Sequence, residues 1–251
     1  MQNSENDHRR RFIKNSVHAA AGFMMIPVLS QGADTKEVAS SMMEEPVVPW
    51  KEPRIKFSVI GMNHGHIYGQ VALVIQGGGE LVSYYAKEKD LIEAFAKRYP
   101  TAKLAQSESE ILEDKSIQLI LSAGIPDERA PLGIRVMNSG KDYMVDKPGI
   151  TSLAQLAQVR KVQKQTGRIY SIMYGERLEN RATVKAGEIV KSGAIGKVVQ
   201  TIGLGPHRMN EKSRPEWFFD KKRFGGIICD IGSHQFDQFL FFTGSKTAEV
   251  V

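Results

Sequence analysis

The sequence predicts an α/β protein in which a doubly wound parallel sheet is followed by a second, smaller α/β domain. Three observations carry this. Between Arg54 and Tyr174, short apolar runs alternate regularly with segments of helical period, the rhythm of consecutive strand–helix units. The first run stops at the glycine turn Gly61-Met62-Asn63-His64-Gly65-His66 and a helix follows at once. After Gly175 the alternation gives way to longer, less regular spacing.

The elements follow in order. Ile55–Ile60 is an apolar strand, and Ile67–Ile75 a helix stopped by Gly77-Gly78-Gly79. Leu81–Ala86 is the next strand, and Leu91, Phe95 and Tyr99 form the inner stripe of a helix ending before Pro100. Ser107 and Glu110 make a capping pair ahead of Ile111-Leu112. Ile117–Ala123 is a buried strand, Asp127–Ser139 a helix closed by Gly140, and Asp142–Val145 the strand that delivers Asp146-Lys147-Pro148. Thr151–Thr166 repeats the helical pattern up to Gly167, and Arg168–Tyr174 is the last strand of the series. Beyond it lie a helix over Asn180–Ser192, a strand over Lys197–Gly203, an irregular stretch with Pro206 and Pro215, and a helix over Ile227–Phe242. The domains are then 54–176 and 177–251, preceded by a linker over 34–53.

With 41% hydrophobic and 25% charged residues among 251, the composition is that of a globular chain. The single cysteine, Cys229, excludes an intrachain disulfide. The net charge of +6 includes +2 from residues 1–33, and no basic block with interleaved aromatics occurs, which excludes an obvious nucleic-acid surface. Residues 1–33 read as an address. His8-Arg9-Arg10-Arg11-Phe12-Ile13-Lys14, followed by the uncharged stretch Asn15–Ala33, looks like a twin-arginine export signal. That implies the export machinery as a partner and the periplasm or cell envelope as destination; a basic amphipathic start to a cytoplasmic protein is the alternative.

Several groups of residues can carry chemistry. Gly61 permits a tight turn, Asn63 tolerates a left-handed conformation, and the helix start beyond them offers free N–H groups to a pyrophosphate. His64 and His66 could be a metal pair, but alternate residues diverge in a turn and no third ligand lies nearby, so no metal site is expected. The acidic residue expected about 20 positions on is replaced by Ala86, with Lys87, Glu88 and Lys89 behind it. Lys87 or Lys89 could meet a 2′-phosphate or simply be solvated, so the nucleotide is left as NAD or NADP. Lys147 ends a strand where open α/β sheets bind ligands. Asp230, His234 and Asp237 share a helix face, behind Gly225-Gly226, which lets the chain approach a ligand closely.

Together, the glycine turn, Asp146-Lys147-Pro148 and the run Gly225 to Asp237, with its Asp-x-Gly-x-His-x-x-Asp core, resemble the Gfo/Idh/MocA family of nicotinamide-dependent sugar and polyol oxidoreductases. The resemblance implies a Rossmann-type first domain and a second domain with a broad, mainly antiparallel sheet. That sheet would be incomplete here, because the chain ends where Ala248–Val251 begins another strand. It implies tightly bound NAD or NADP held by Gly61, Asn63, His64, Gly65, His66, Lys87, Ile125 and Lys147, with a cis Lys147-Pro148 bond. Arg129 falls where the family often has a histidine, and Asp127 explains part of that segment as a helix cap. The catalytic set is Lys147, Asp230 and His234: His234 as acid/base, Lys147 stabilising an alkoxide, Asp230 orienting His234 or holding another hydroxyl. Arg177, His207, Asp230 and His234 would bind the substrate, a carbohydrate or polyol, while Trp217-Phe218-Phe219 is either wall or core. A complete second sheet would imply a homo-oligomer. Two other readings stand beside this one: an NAD-dependent glycoside hydrolase on the same scaffold, and an inactive fragment or nucleotide-binding module.

Overall fold

The computed structural model describes residues 52–205 and 207–249. The expected export signal, nearly all of the linker, Pro206 and the last two residues lie outside them. Six strands form one parallel sheet: β1 (Ile55–Ile60), β2 (Gly79–Tyr85), β3 (Lys103–Leu104), β4 (Leu119–Ser122), β5 (Asp142–Asp146) and β6 (Tyr170–Met173), in the order β3-β2-β1-β4-β5-β6. The connecting helices are α1 (Ile67–Gln76), α2 (Lys89–Arg98), α3 (Glu108–Glu113), α4 (Pro126–Asn138) and α5 (Leu153–Thr166). Strand order reverses between β1 and β4, which opens a crevice at the carboxyl ends of those two strands.

The apolar runs are nearly continuous because both sheet faces are covered. Phe57, Val59, Tyr84 and Leu121 pack with Ile67, Val71 and Phe95 on one face. Ile60, Ile120, Tyr143 and Val145 pack with Ile111, Leu132 and Val136 on the other. Ser58 is fully buried in β1 and is satisfied by the Ser83 hydroxyl across the β1–β2 pair at 2.8 Å. The Ser107 hydroxyl caps α3 by accepting from Glu110 N, as the sequence predicts, and the Glu110 carboxylate returns to Gln106 N.

After β6 come α6 (Gly175–Leu178), α7 (Arg181–Lys191), 3-10 turns at Glu211–Ser213 and Glu216–Phe219, α8 (Lys221–Phe224), a π-helical turn at Ile228–Gly232 and α9 (Ser233–Thr243). The strand expected over Lys197–Gly203 is not formed: this stretch has no regular structure, and Val199 and Ile202 are exposed. No described strand follows β6 to accept its ladder hydrogen bonds. Ala248 and Glu249 are likewise irregular. The helix expected from Ile227 to Phe242 is present, but its first turn is wound wide.

Candidate active site

The first half of the site is built by the ends of β1, β4 and β5. Gly61 holds φ +79°, donates to Tyr85 O at 3.0 Å and accepts from Ala123 N at 3.0 Å, so the turn is stitched to both neighbouring strands. A Cβ here would stand 3.2 Å from Gly124 Cα, and this side-chain-free meeting of two turns is the floor of the crevice. Asn63 does not take the left-handed conformation expected of it, because Gly61 alone makes the turn; its amide donates instead to Glu88 Oε1 at 2.7 Å. The crevice is lined by Gly61, Asn63, Ala86, Lys87, Glu88 and Gly124, so Glu88 brings a carboxylate two positions after the place where sequence reasoning looked for one. These residues suit a nucleotide's adenosine end. Gly124, not Ile125, lines the crevice; Ile125 is the N-cap of α4, and Asp127 lies one residue inside the helix, where it does not cap.

Arg129, which sequence reasoning placed near a ligand, is a fully buried keystone. Its guanidinium donates to Gly124 O at 2.7 Å, to the carbonyls of Asp146, Lys147 and Pro148 at 3.0, 2.7 and 3.2 Å, and to Asp146 Oδ2 at 3.1 Å. It thereby fixes the Asp146-Lys147-Pro148 segment, whose Lys147-Pro148 bond is cis as the resemblance implied.

Asp146 is clasped from its other side by both histidines of the turn. His64 Nδ1 lies 2.7 Å from Oδ2 and His66 Nδ1 3.0 Å from Oδ1, with ring centroids 4.0 Å apart. The two rings therefore converge, and a third possible ligand is present, which corrects both premises on which a metal pair was set aside. Burial alone would raise the Asp146 pKa, but hydrogen bonds from His64 and His66 and the charge of Arg129 outweigh it and hold the carboxyl well below its ordinary range. Burial lowers the pKa of His64, partly offset by its bond to Asp146.

The second half of the site comes from the π-helical turn and α9. Lys147 Nζ donates to Asp230 Oδ1 at 2.6 Å, both groups being nearly inaccessible. Asp230 therefore serves Lys147 and does not orient His234 as expected. His234 is buried, its Nδ1 has no partner, and the Tyr174 ring stands edge-on at 5.9 Å. Burial is the largest influence on His234 and lowers its pKa against the opposing charge of Glu176; Lys147, His207 and His66 reinforce the lowering. The wide π turn takes more residues per revolution, so Asp237 falls off the face shared by Asp230 and His234. Asp237 instead receives a bidentate pair from Arg177 at 2.6 and 2.8 Å, and that guanidinium also lies over Phe241. Arg177 is thus a brace between α6 and α9, not a wall of the cavity, which is lined by Glu176 of α6 and by Glu179 just beyond it.

A cavity of about 660 Å³ opens between the two halves, lined by His64, His66, Asp146, Lys147, Asp230 and His234, with His207, Glu176, Arg181 and Arg214 on the far side. His207 lines this cavity, its Nε2 3.6 Å from Glu176 Oε1. Trp217 stands edge-on to His64 with ring centroids 6.4 Å apart and, with Phe218, borders a smaller space beside Pro148, so it is wall and packing at once. Gln70, also at the large cavity, is fully buried and was missed, since a glutamine on an apolar helix face gives no sequence signal.

A parallel sheet with a glycine-floored crevice at its switch point and a lysine–carboxylate–histidine cavity beyond it defines a dinucleotide-binding α/β protein. Comparison with known proteins narrows this. The family described as "Oxidoreductase family, NAD-binding Rossmann fold" matches residues 55–174, and the "GFO/IDH/MocA C-terminal domain" matches residues 183–251. The chain belongs to the Gfo/Idh/MocA family. It is 24% identical over 200 residues to scyllo-inositol 2-dehydrogenase (NAD(+)) of Bacillus subtilis (strain 168), covering 79% of this chain and 57% of that one. It is 22% identical over 148 residues to D-xylose dehydrogenase of Paenarthrobacter nicotinovorans, covering 57% of this chain and 38% of that one. Among solved structures, one from Erwinia carotovora atroseptica SCRI1043, itself an oxidoreductase by assignment only, is 41% identical with a TM-score of 0.73, over 76% of this chain and 57% of its own. Myo-inositol 2-dehydrogenase from Lactobacillus plantarum shares the fold at 22% identity, with a TM-score of 0.64 over 77% of this chain and 57% of its own. The chain spans about half the length of the curated relatives it matches.

Proposed function

We propose that the protein is an oxidoreductase that passes a hydride between a nicotinamide nucleotide and the CH–OH carbon of a sugar, polyol or cyclic alcohol. The observation that carries this is the buried Lys147–Asp230 pair sharing one cavity with a buried, neutral His234 at the carboxyl edge of the sheet. The inositol and xylose dehydrogenases among the relatives support the substrate class. When bound, the nicotinamide supplies the hydride acceptor. His234, kept unprotonated by burial, accepts the hydroxyl proton. Lys147, held by Asp230, keeps its ammonium directed at the oxygen on which negative charge develops. The crevice residues Gly61, Asn63 and Gly124 leave room for the nucleotide backbone, and the Glu88 carboxylate favours NAD over NADP by repelling a 2′-phosphate.

The test is direct. Purified protein is denatured and the released nucleotide identified; then scyllo-inositol, myo-inositol, D-xylose and levoglucosan are offered with NAD or NADP while NADH or NADPH formation is followed. His234→Ala should lower kcat by about 10² to 10⁴ with nucleotide affinity kept, and Lys147→Ala should damage turnover and weaken nucleotide binding as well. Wild-type turnover in the His234 variant sinks the assignment of the proton acceptor. Nucleotide that stays bound and catalyses glycoside cleavage with no net reduction would move the reading to an NAD-dependent glycosidase. Export is part of the same proposal and rests on Arg9-Arg10. Replacing both with lysine should trap the precursor in the cytoplasm, and mature protein still found outside it would refute the route.

A further inference from the structure

We propose that His64, His66 and Asp146 form a binding site for one divalent transition-metal ion, with its open coordination positions facing the large cavity. Two imidazoles and one carboxylate are a donor set suited to zinc, cobalt, nickel or iron. The donor atoms converge: all three side chains present a ligand atom within 4.8 Å of the others. The individual separations, 2.7 Å from His64 Nδ1 to Oδ2 and 3.0 Å from His66 Nδ1 to Oδ1, are those of direct hydrogen bonds. An ion entering between them replaces these bonds and needs the pairs to open only by about 0.5 Å, since tetrahedral ligands about 2.0–2.1 Å from an ion lie about 3.3 Å from one another.

The site is built rather than accidental. The β1–α1 turn is pinned to β4 by His64 N donating to Ala123 O at 2.9 Å, which sets the first ring. Asp146 is immobilised by Arg129, in the manner of the outer hydrogen bonds that orient metal-binding carboxylates. Lys147 does not compete for Asp146, being engaged by Asp230.

Arg129 also sets the selectivity. Its charge on Oδ2 weakens the purely electrostatic pull of Asp146, which penalises magnesium and calcium, ions bound through oxygen ligands. Ions that gain most from imidazole nitrogen are affected less. Because the three residues line the cavity that also holds Lys147 and His234, the chemistry offered to a ligand is a Lewis acid for an oxygen of a hydroxyl or carboxylate. That use rests on the oxidoreductase reading above; ion binding does not.

The experiment is therefore done without nucleotide or substrate. Untagged full-length protein, stripped with EDTA, is titrated with Co²⁺ and with Zn²⁺ by calorimetry, and visible absorption follows Co²⁺. One equivalent should bind, with ligand-field bands of cobalt held by nitrogen and oxygen, while Mg²⁺ and Ca²⁺ should give no heat. H64Q and H66Q should each weaken Co²⁺ binding by more than about 10-fold. His66 is half-exposed and its replacement leaves the Arg129–Asp146 pair in place, so H66Q is the variant safest to fold, checked by circular dichroism. The double variant keeps His207 and His234. Binding that persists unchanged in it, or wild-type protein that takes up neither ion, overturns the site. Loss of NAD-linked turnover with metal binding intact would refute the activity and leave the site standing.

Discussion

The sheet region, residues 55–174, and the region after it, residues 175–249, solve the same problem differently. The central strands of the first are covered on both faces, its edge strand β3 being exposed, and among the described residues only Ile231 of the buried hydrophobics lies beyond Met173. The second leaves Val199, Leu204, Ile202 and Ile228 largely in solvent, at 95%, 83%, 79% and 71% exposure. What it does bury is polar: Asp230 and His234. It is fastened to the sheet region through ions, Lys147 to Asp230 and Arg223 to Glu128, more than through a core of its own. The first region supplies stability by area removed from water, and the second contributes chemical groups at a seam where pairing and geometry must do the holding.

The largest effects should come from separating these two kinds of support. Arg129→Met removes the one side chain that gathers the β4 turn, the cis segment and Asp146, leaving several carbonyls and a buried carboxylate without their donor. A loss of about 3–5 kcal/mol is expected, read from urea unfolding of the full chain. In the wild type, unfolding should proceed in two stages, the exposed apolar region first. Trp217 fluorescence should change before the far-ultraviolet signal of the sheet, and a hydrophobic dye should bind the folded protein. One transition seen alike by every probe would mean the seam is as strong as the core.

This contrast explains what could be read from the sequence. Five of the six strands were legible, because a strand covered on both faces writes itself as a run such as Leu119–Ser122, and helix ends are marked by residues such as Ser107 and Gly167; β3 was not, since Lys103–Leu104 is an exposed two-residue edge pair with no apolar run to announce it. Lys147, Asp230 and His234 were legible as a group through the resemblance, and they do line one cavity. Their pairing was not. The π turn that gives Asp230 to Lys147 and sends Asp237 to Arg177 has no sequence signature, and an ideal helix predicts the wrong neighbours. Convergence of His64 and His66 on Asp146 depends on residues 80 and more positions apart. Arg129 was legible only as standing in the place of a family histidine; its keystone role was not, since a charged residue on a helix is seldom fully buried. The strand expected over Lys197–Gly203 is absent because a strand there needs a half-buried pleated surface, and Val199 and Ile202 lie in solvent.

Smaller perturbations sharpen the same comparison, one on each side of the seam. Gly61→Ala forces a side chain into a left-handed turn against Gly124, and should cost about 1–2 kcal/mol while weakening nucleotide binding, measured by unfolding and by NADH fluorescence titration. Arg177→Ala removes a part-buried bidentate pair and its contact with Phe241. About 1 kcal/mol should be lost, confined to the stage reported by the second region, with nucleotide affinity unchanged. A change of nucleotide affinity in Arg177→Ala would show that the brace reaches into the sheet.

The least costly probe is pH, because one histidine with a lowered pKa sits in each region: His64 in the sheet turn and His234 in α9. In the unfolded chain both titrate near 6.5, and in the folded protein only at lower pH, so below 6.5 the unfolded state binds more protons. Stability contributed by their burial is therefore complete above 6.5 and is lost as pH falls through the folded values. Asp146, also lowered, acts the same way in a separate and more acidic window, below its unfolded value of about 3.9. Urea midpoints should thus be level above neutrality and decline as pH falls below about 6.5 in both stages. His234→Gln should flatten the decline of the early stage alone, and His64→Gln that of the sheet stage alone. If either variant flattens both stages, the two histidines belong to one cooperative unit, and the seam between the regions is not a thermodynamic boundary.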